Sequence, residues 1–281
     1  MQRSTQEMKL NLQKDFGHTD ENITVITITR GRPNYLQRAA ESVQRQDYQG
    51  SITHYILIDD CTSTRSFVEE RRSFGGQVEW HLMPRMPGER SGPSRLAKLR
   101  NYAVQEAKTK WISFLDDDNE FEDNHISSLV ECAIVTGSEA VHSQRKLFLP
   151  DGRPYLECIW PWSRDINERL EIYQQLCQQG VLEPGSNIEK DRCDPLEHPD
   201  PVRIVDTSEW LLRRSLLERY PFNDEYTYED WANITTEDDK LLQQLVRERI
   251  PIYSTKKPTL KYYLGGYSNS FDVDQLPNAW D

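Results

Sequence analysis

The run Trp111-Ile112-Ser113-Phe114-Leu115 leads directly into Asp116-Asp117-Asp118, and this junction constrains the chain more than any other segment. Five apolar or small residues predict a buried strand, and three consecutive carboxylates predict what lies at its end. Adjacent anions repel one another, so a fold keeps them together only beside a cation or a helix terminus. Oxygen ligands with no His or Cys nearby favour Mg²⁺ or Mn²⁺, ions that take one or two protein carboxylates and fill their shell with water and substrate phosphate. The expected ligand therefore contains a diphosphate. The competing reading, solvated carboxylates that cap the next helix, leaves the clustering of like charges unexplained.

A second acidic strand end lies upstream. Ile23 to Ile28 reads as a strand broken by Gly31-Arg32-Pro33-Asn34, and Leu36, Ala39, Ala40 and Val43 then recur at helical spacing with Asn34 as the expected N-cap. Tyr55 to Ile58 is a strand ending in Asp59-Asp60, and Val78 to Leu82 is a third. Pro84 to Pro93 has loop composition, after which Ser94 is the expected cap of a helix buried through Leu96, Leu99, Ala103 and Ala107. Ile126, Leu129, Val130, Ala133 and Ile134 mark another helix beyond the carboxylates. Alternating strands and helices imply a doubly wound, mostly parallel sheet, in which ligands bind beyond the carboxyl ends of the strands. Asp60 and Asp116 to Asp118 would both lie there.

The second half is less regular. Leu147 to Tyr155 reads as a hairpin around Pro150-Asp151-Gly152, and Ile166, Leu170, Tyr173, Leu176 and Cys177 outline a helix stopped by Gly180. Glu183 to Pro201 reads as a mobile loop, and a last helix runs from Glu237 to Arg249.

A chain of 281 residues with 36% hydrophobic and 10% aromatic residues can bury one main α/β core with a smaller appended part. A net charge of −12 argues against nucleic acid as a partner. No apolar run approaches the roughly 20 residues of a transmembrane span, and the first 22 residues lack the apolar core of a signal peptide, so a soluble, cytoplasmic chain is expected. Five cysteines without CxxC spacing predict reduced thiols rather than a disulfide framework.

Taken in order, several pieces resemble the inverting family 2 glycosyltransferases of GT-A fold, over about residues 23 to 270. They are Thr29-Arg30-Gly31-Arg32-Pro33; Ile58-Asp59-Asp60 with Cys61-Thr62-Ser63; Arg95 and Arg100-Asn101; Phe114-Leu115-Asp116-Asp117-Asp118; Pro221-Phe222-Asn223-Asp224-Glu225; and Thr236-Glu237-Asp238 opening a helix. The resemblance implies a Rossmann-like, nucleotide-sugar-binding half over 23–140. An acceptor-binding and catalytic-base half would follow over 141–281, and residues 1–22 form a polar extension. It implies that Thr29, Arg30 and Arg32 line the donor pocket, that Asp60 accepts a hydrogen bond from the base, and that Arg95 and Arg100 approach base or phosphates. Asp118 becomes the metal ligand of a DxD motif for Mn²⁺ or Mg²⁺, with Asp116 or Asp117 toward the ribose or sugar, and Asp238 the general base. Many relatives carry a late His near the diphosphate, where this chain has Tyr262-Tyr263-Leu264-Gly265-Gly266-Tyr267-Ser268.

The implied activity moves a sugar from a UDP-sugar, or a GDP-sugar, to the hydroxyl of a saccharide, lipid-linked saccharide or small molecule. Each residue also has a plainer role open to it. Thr236-x-x-Asp239 has capping-box spacing, Glu229-Asp230 competes as the base, Asp60 could cap a turn through Thr62 and Ser63, and Arg95 and Arg100 could lie on a helix surface. Trp160 and Trp162 could be core or a sugar-stacking pair. Two other functions remain open, a Mg²⁺-dependent phosphohydrolase or nucleotidyltransferase and a non-catalytic nucleotide-sugar-binding subunit.

Overall fold

The computed structural model describes residues 21–70, 77–89, 91–163, 165–193 and 201–266. Strand β1 (Ile23–Thr29) is buried along almost all of its length, as a strand covered by helices on both faces must be. Its chain turns at Gly31, whose φ of +68° suits a residue without Cβ, into α1 (Pro33–Gln44). Pro33, with its preset φ and no amide to satisfy, starts this helix, so Arg32 rather than Asn34 holds the cap position. Strand β2 (Ile52–Asp59), helix α2 (Thr62–Glu70) and strand β3 (Gln77–Met83) follow. Helix α2 is absent from the sequence reading because only Thr64 and Val68 of it are buried, too few to set a period.

Helix α3 (Pro93–Glu106) also begins on a proline, with Gly92 as its cap. Ser94 is therefore inside the helix, and its hydroxyl donates to the Asp224 carbonyl at 2.7 Å. Strand β4 (Trp111–Phe114) lies beside β1 and is fully buried. Strand β5 (Glu120–Phe121) and helix α4 (His125–Thr136) lead to β6 (Ala140–Phe148), with Ile134 on the solvent side at 41% exposure. The expected hairpin closes at Pro150 to Gly152 through Leu149 and Arg153. Helix α5 (Ile166–Gln178) is capped by Asp165 and buries only Leu176, while Ile166 and Leu170 face solvent.

Glu183 to Cys193 is not a mobile loop. Strand β7 (Ile188–Glu189) pairs antiparallel with β6, Glu189 and Asp191 are fully buried, and β8 (Arg192–Cys193) pairs with β9 (Arg203–Ile204). Positions 194–200 of that expectation lie outside the described residues. A 3₁₀ turn (Thr207–Glu209), β10 (Trp210–Arg213), α6 (Arg214–Arg219), α7 (Tyr228–Ala232), α8 (Glu237–Arg247) and β11 (Ile252–Tyr263) complete the order.

Nine of the strands form one sheet, ordered β3-β2-β1-β4-β10-β6-β11-β5 with β7 on β6. It is parallel from β3 to β4, antiparallel on both sides of β10, and parallel again between β6 and β11. Helices cover both faces. One core joins α3 and α8 through Leu99, Ala103, Leu241 and Leu245, and the other joins α4 to β4 and β6 through Ile126, Leu129, Trp111 and Val141. This is the α/β architecture that the sequence pattern predicts. No helix among the described residues is long and apolar enough to cross a membrane.

Candidate active site

Strands β1, β2 and β4 end on the same side of the sheet, so Thr29, Asp59-Asp60 and Asp116 to Asp118 meet there. Thr29 is buried beside Asp117, and its hydroxyl favours that carboxylate's charged form. Arg30 donates to the carbonyls of Asp59 at 2.9 Å and Asp60 at 3.3 Å, closing the end of β2. Asp60 is exposed in a left-handed conformation (φ 46°), with its amide tied to the Ile58 and Met83 carbonyls, so its carboxylate is free to meet a ligand. Its neighbour Asp59 points inward between Arg85 and Arg95.

The arginines on α3 have work inside the protein. Arg95 is 8% exposed and spends its donors on Asp59 (3.0 Å), Glu89 (3.2 Å) and the carbonyls of Met83 and Pro84. It folds the 84–93 loop onto the end of β2 and has no donor group turned to a phosphate. Arg100 is also buried, paired with Asp116 at 3.3 Å and with Glu237, and lies over the rings of Phe114 and Phe222. Both side chains are thus buried in ion pairs at the acidic strand ends, where the sequence pattern expects them to approach the donor.

The three central carboxylates differ. Asp117 is sealed from solvent and paired with Arg32 at 2.5 Å. Burial raises its pKa, and Arg32 opposes the rise. Asp116 keeps 41% of its side chain open. Withdrawal of water raises its pKa as well, Arg100 opposes this, and Asp206, Asp118 and Asp238 add to it, while the solvent on its open side limits the rise. Asp118 accepts from Arg32 at 2.8 Å, and its carbonyl accepts from Arg38 at 2.5 Å. Arg38 in turn stacks on Tyr263 at 3.8 Å and pairs with Glu120 at 3.1 Å.

Three acids open α8, and each has a different fate. Thr236 and Asp239 form the capping box, and Glu237 pairs with Arg100. Asp238 is half-buried and turned to the cleft, where it accepts from the hydroxyls of Thr207 (2.8 Å) and Thr236 and from the Asp239 amide (3.1 Å). The rival Asp230 caps α7 and pairs with Lys240 at 2.9 Å. Hydrogen bonding by Thr227 and then Lys240 holds its pKa down at about 2, which makes it a poor proton acceptor.

The 3₁₀ turn joins the two halves of this cleft. Ser208 accepts from the Asp116 amide at 3.1 Å while Thr207 donates to Asp238. Asp206 caps the turn and pairs with Arg145 at 3.1 Å, and Arg145 also holds Glu189 (2.9 Å) and Asp191 (3.0 Å). Trp162 lies over Arg145 at 4.8 Å and Trp160 packs on Trp162 at 4.5 Å, so the tryptophan pair supports this cluster. Sequence reasoning missed Asp206, Thr207, Arg145 and Arg38. The spacing Asp206-x-x-Glu209 is a capping-box pattern and was the one available signal.

A divalent ion fits at Asp118 in the space beside its carboxylate. Asp118 faces a recess lined by Tyr35, Arg38, Tyr263 and Gly266, and a Cβ on Gly266 would lie 2.7 Å from its Oδ2, so the missing side chain leaves that oxygen open. Among the described residues no three His, Cys, Asp or Glu side chains converge as a metal-binding cluster. Tyr267 and Ser268 lie outside the described residues.

A model of the family described as Glycosyl transferase family 2 matches residues 24–220. Protein CgeD of Bacillus subtilis is 27% identical over 134 residues, which is 45% of this chain and 30% of that protein; this chain therefore spans under a third of the relative's length. S. aureus TarS 1–349 superposes with a TM-score of 0.57 at 16% identity, covering 86% of this chain and 60% of the other. The mannosyltransferase PcManGT from Pyrobaculum calidifontis, in complex with GDP-Man and Mn²⁺, superposes with a TM-score of 0.53 at 13% identity, covering 92% and 63%. At these identities the superpositions speak for the fold, and the family match over most of the length supplies the rest: the chain belongs to glycosyl transferase family 2.

Proposed function

We propose that the chain transfers a sugar from a nucleotide-sugar donor to an acceptor hydroxyl with inversion at the anomeric carbon. The observation that carries this reading is the Thr207–Glu209 turn, which fastens the acidic end of β4 and Asp238 to one cleft. The donor half is 23–140 and the acceptor half 141–281. Asp60 faces the nucleoside, Asp116 the sugar or ribose, and Arg32 the phosphates, with Thr29 buried behind them. A divalent cation at Asp118, Mn²⁺ or Mg²⁺, would stabilise the charge that develops on the leaving diphosphate.

Asp238 is the proposed base. Inverting transfer needs a carboxylate on the acceptor side to take the hydroxyl proton, a contribution of roughly 10²- to 10⁴-fold. Three hydrogen bonds fix the orientation of Asp238, so the acceptor oxygen meets a carboxylate already aligned. UDP-sugars are the favoured donors and GDP-sugars the second choice. Both nucleotides occur among the structural neighbours, as UDP or UDP-GlcNAc on TarS and GDP-Man on PcManGT.

The test is transfer from a panel of UDP- and GDP-sugars with Mn²⁺, Mg²⁺ or EDTA, with the product's anomeric configuration read by NMR. Asp118→Ala should abolish transfer, and Asp238→Asn should lower it about 10²-fold or more while leaving donor binding intact. A product of retained configuration, or full activity of Asp238→Asn, would overturn the reading. Donor binding without turnover against a broad acceptor panel would favour a binding subunit.

A further inference from the structure

Arg32 stands where an incoming cation would have to work. Its guanidinium forks across two neighbouring acids, Asp117 at 2.5 Å and Asp118 Oδ2 at 2.8 Å. Asp117 is sealed and Asp118 only 15% exposed, whereas Arg32 keeps 36% of its side chain in solvent. The arginine therefore reaches the acids from the open side. Arg38 meanwhile holds the Asp118 backbone carbonyl, so the carboxylate is the part of Asp118 that Arg32 closes. The three acids hold Arg32 firmly in its charged form: burial alone would lower its pKa, but Asp117, Asp118 and Asp116 raise it.

A guanidinium and a divalent cation on the same carboxylate oxygen repel one another and compete for its lone pairs. A free metal ion must displace a charge-assisted hydrogen bond to reach Asp118, a handicap of about tenfold or more. A diphosphate changes the balance, since it offers the planar guanidinium a bidentate anion of its own. Resting on the metal-dependent reading above, we propose that Arg32 is a displaceable counter-ion: it closes Asp118 in the empty protein and is drawn off by the donor's diphosphate, so that metal binding is conditional on the nucleotide. This makes binding ordered, with nucleotide before or together with metal.

Mn²⁺ binding, followed by the loss of the free-ion paramagnetic resonance signal, tests this without any turnover. The native protein should bind Mn²⁺ weakly alone and at least about tenfold more tightly with UDP or GDP. Arg32→Ala and Arg32→Gln should bind Mn²⁺ alone about tenfold more tightly than the native protein and lose most of the nucleotide's enhancement. Arg32→Lys, which keeps the charge but not the fork, should fall between them. Folding of each variant is checked by circular dichroism and thermal melting. Unchanged affinity for free Mn²⁺ in folded Arg32→Ala and Arg32→Gln would overturn the counter-ion role while leaving the metal site standing. A native protein that binds no Mn²⁺ even with either nucleotide would overturn the metal reading and this inference with it.

Discussion

Acids are buried in two regions of this molecule, and they are neutralised by opposite means. At the ends of β2 and β4 each buried carboxylate has a guanidinium, Asp59 having Arg85 and Arg95 and Asp117 having Arg32, and the half-open Asp116 has Arg100. Beside β6 the buried or nearly buried Glu189, Asp191, Asp206 and Glu209 gather around Arg145, the cation paired with them among the described residues. The first arrangement balances charge with arginines, and the second balances much of it with protons. Burial raises the pKa of Asp191 and Asp206, and holds Glu209 up at about 8 against the opposing pull of Asp191 and Arg145. A region neutralised by arginines should respond to mutation gradually, and one that depends on a single arginine should fail at once.

Arg145→Met is the largest expected effect on stability. It removes that cation from among four acids and leaves their charges uncompensated in a dry site, at a cost of about 3–5 kcal/mol. Because Asp206 caps the turn that holds Asp238, the same change should weaken transfer along with stability. Denaturant unfolding and a transfer assay would check both. A change below about 1 kcal/mol would mean that the four acids are neutralised wholly by protons, and the contrast between the regions would sharpen rather than close.

The two regions also differ in how far the sequence discloses them. Acids at strand ends are legible because a strand's apolar run stops at them, and so Asp60 and Asp116 to Asp118 stand out without any structure. Arginines in the loops beside them are visible too, but their direction is not. Arg95 and Arg100 turn inward because the helix face they share with Leu99 and Ala103 is buried, and neither period nor composition records that a buried helix face carries charge. Around Arg145 even the location is hidden. Its acids come from β7, from the residue before β8 and from the capping box of a three-residue turn, so no spacing relates the turn's pair to Glu189 and Asp191. Glu183 to Cys193 reads as a loop because its apolar content is low, yet charge pairing orders it. The long β11 escaped for a related reason: residues 252–258 are half-buried or exposed and include Pro258, where the register with β6 shifts.

The next effect is one of pH. Glu209 holds its proton up to about pH 8 in the folded state, whereas an unfolded chain releases it at about 4.3. The contribution to stability is complete below the lower value and is lost as pH rises through the higher one. The histidines act in the reverse sense: burial lowers the pKa of His54 and His142 to about 4 and of His125 to about 3, so stability is lost as pH falls below about 6.5. Unfolding midpoints should therefore peak near neutrality. Glu209→Gln, which carries the neutral form permanently, should remove the decline that Glu209 contributes between about pH 4.3 and about pH 8 and so flatten the alkaline limb most. An unchanged alkaline limb would transfer the effect to Asp117, whose pKa is raised in the same direction.

The smallest effect belongs to the balanced region. Arg85→Ala removes one of the two arginines on Asp59 and leaves Arg95 at 3.0 Å from Oδ1. Arg85 also donates to Ser91 at 2.8 Å, so some order in the 84–93 loop goes with it. The carboxylate stays paired, and the cost should be about 1 kcal/mol, several-fold below that of Arg145→Met. Arg95→Ala should cost more than Arg85→Ala, because it also takes a donor from the Pro84 carbonyl and one of two from the Met83 carbonyl. Equal losses in Arg85→Ala and Arg145→Met would show that redundancy of cations does not distinguish the two regions. Residual stability would then have to be sought in the packing of α3 against β1 and β2 rather than in the charges at the strand ends.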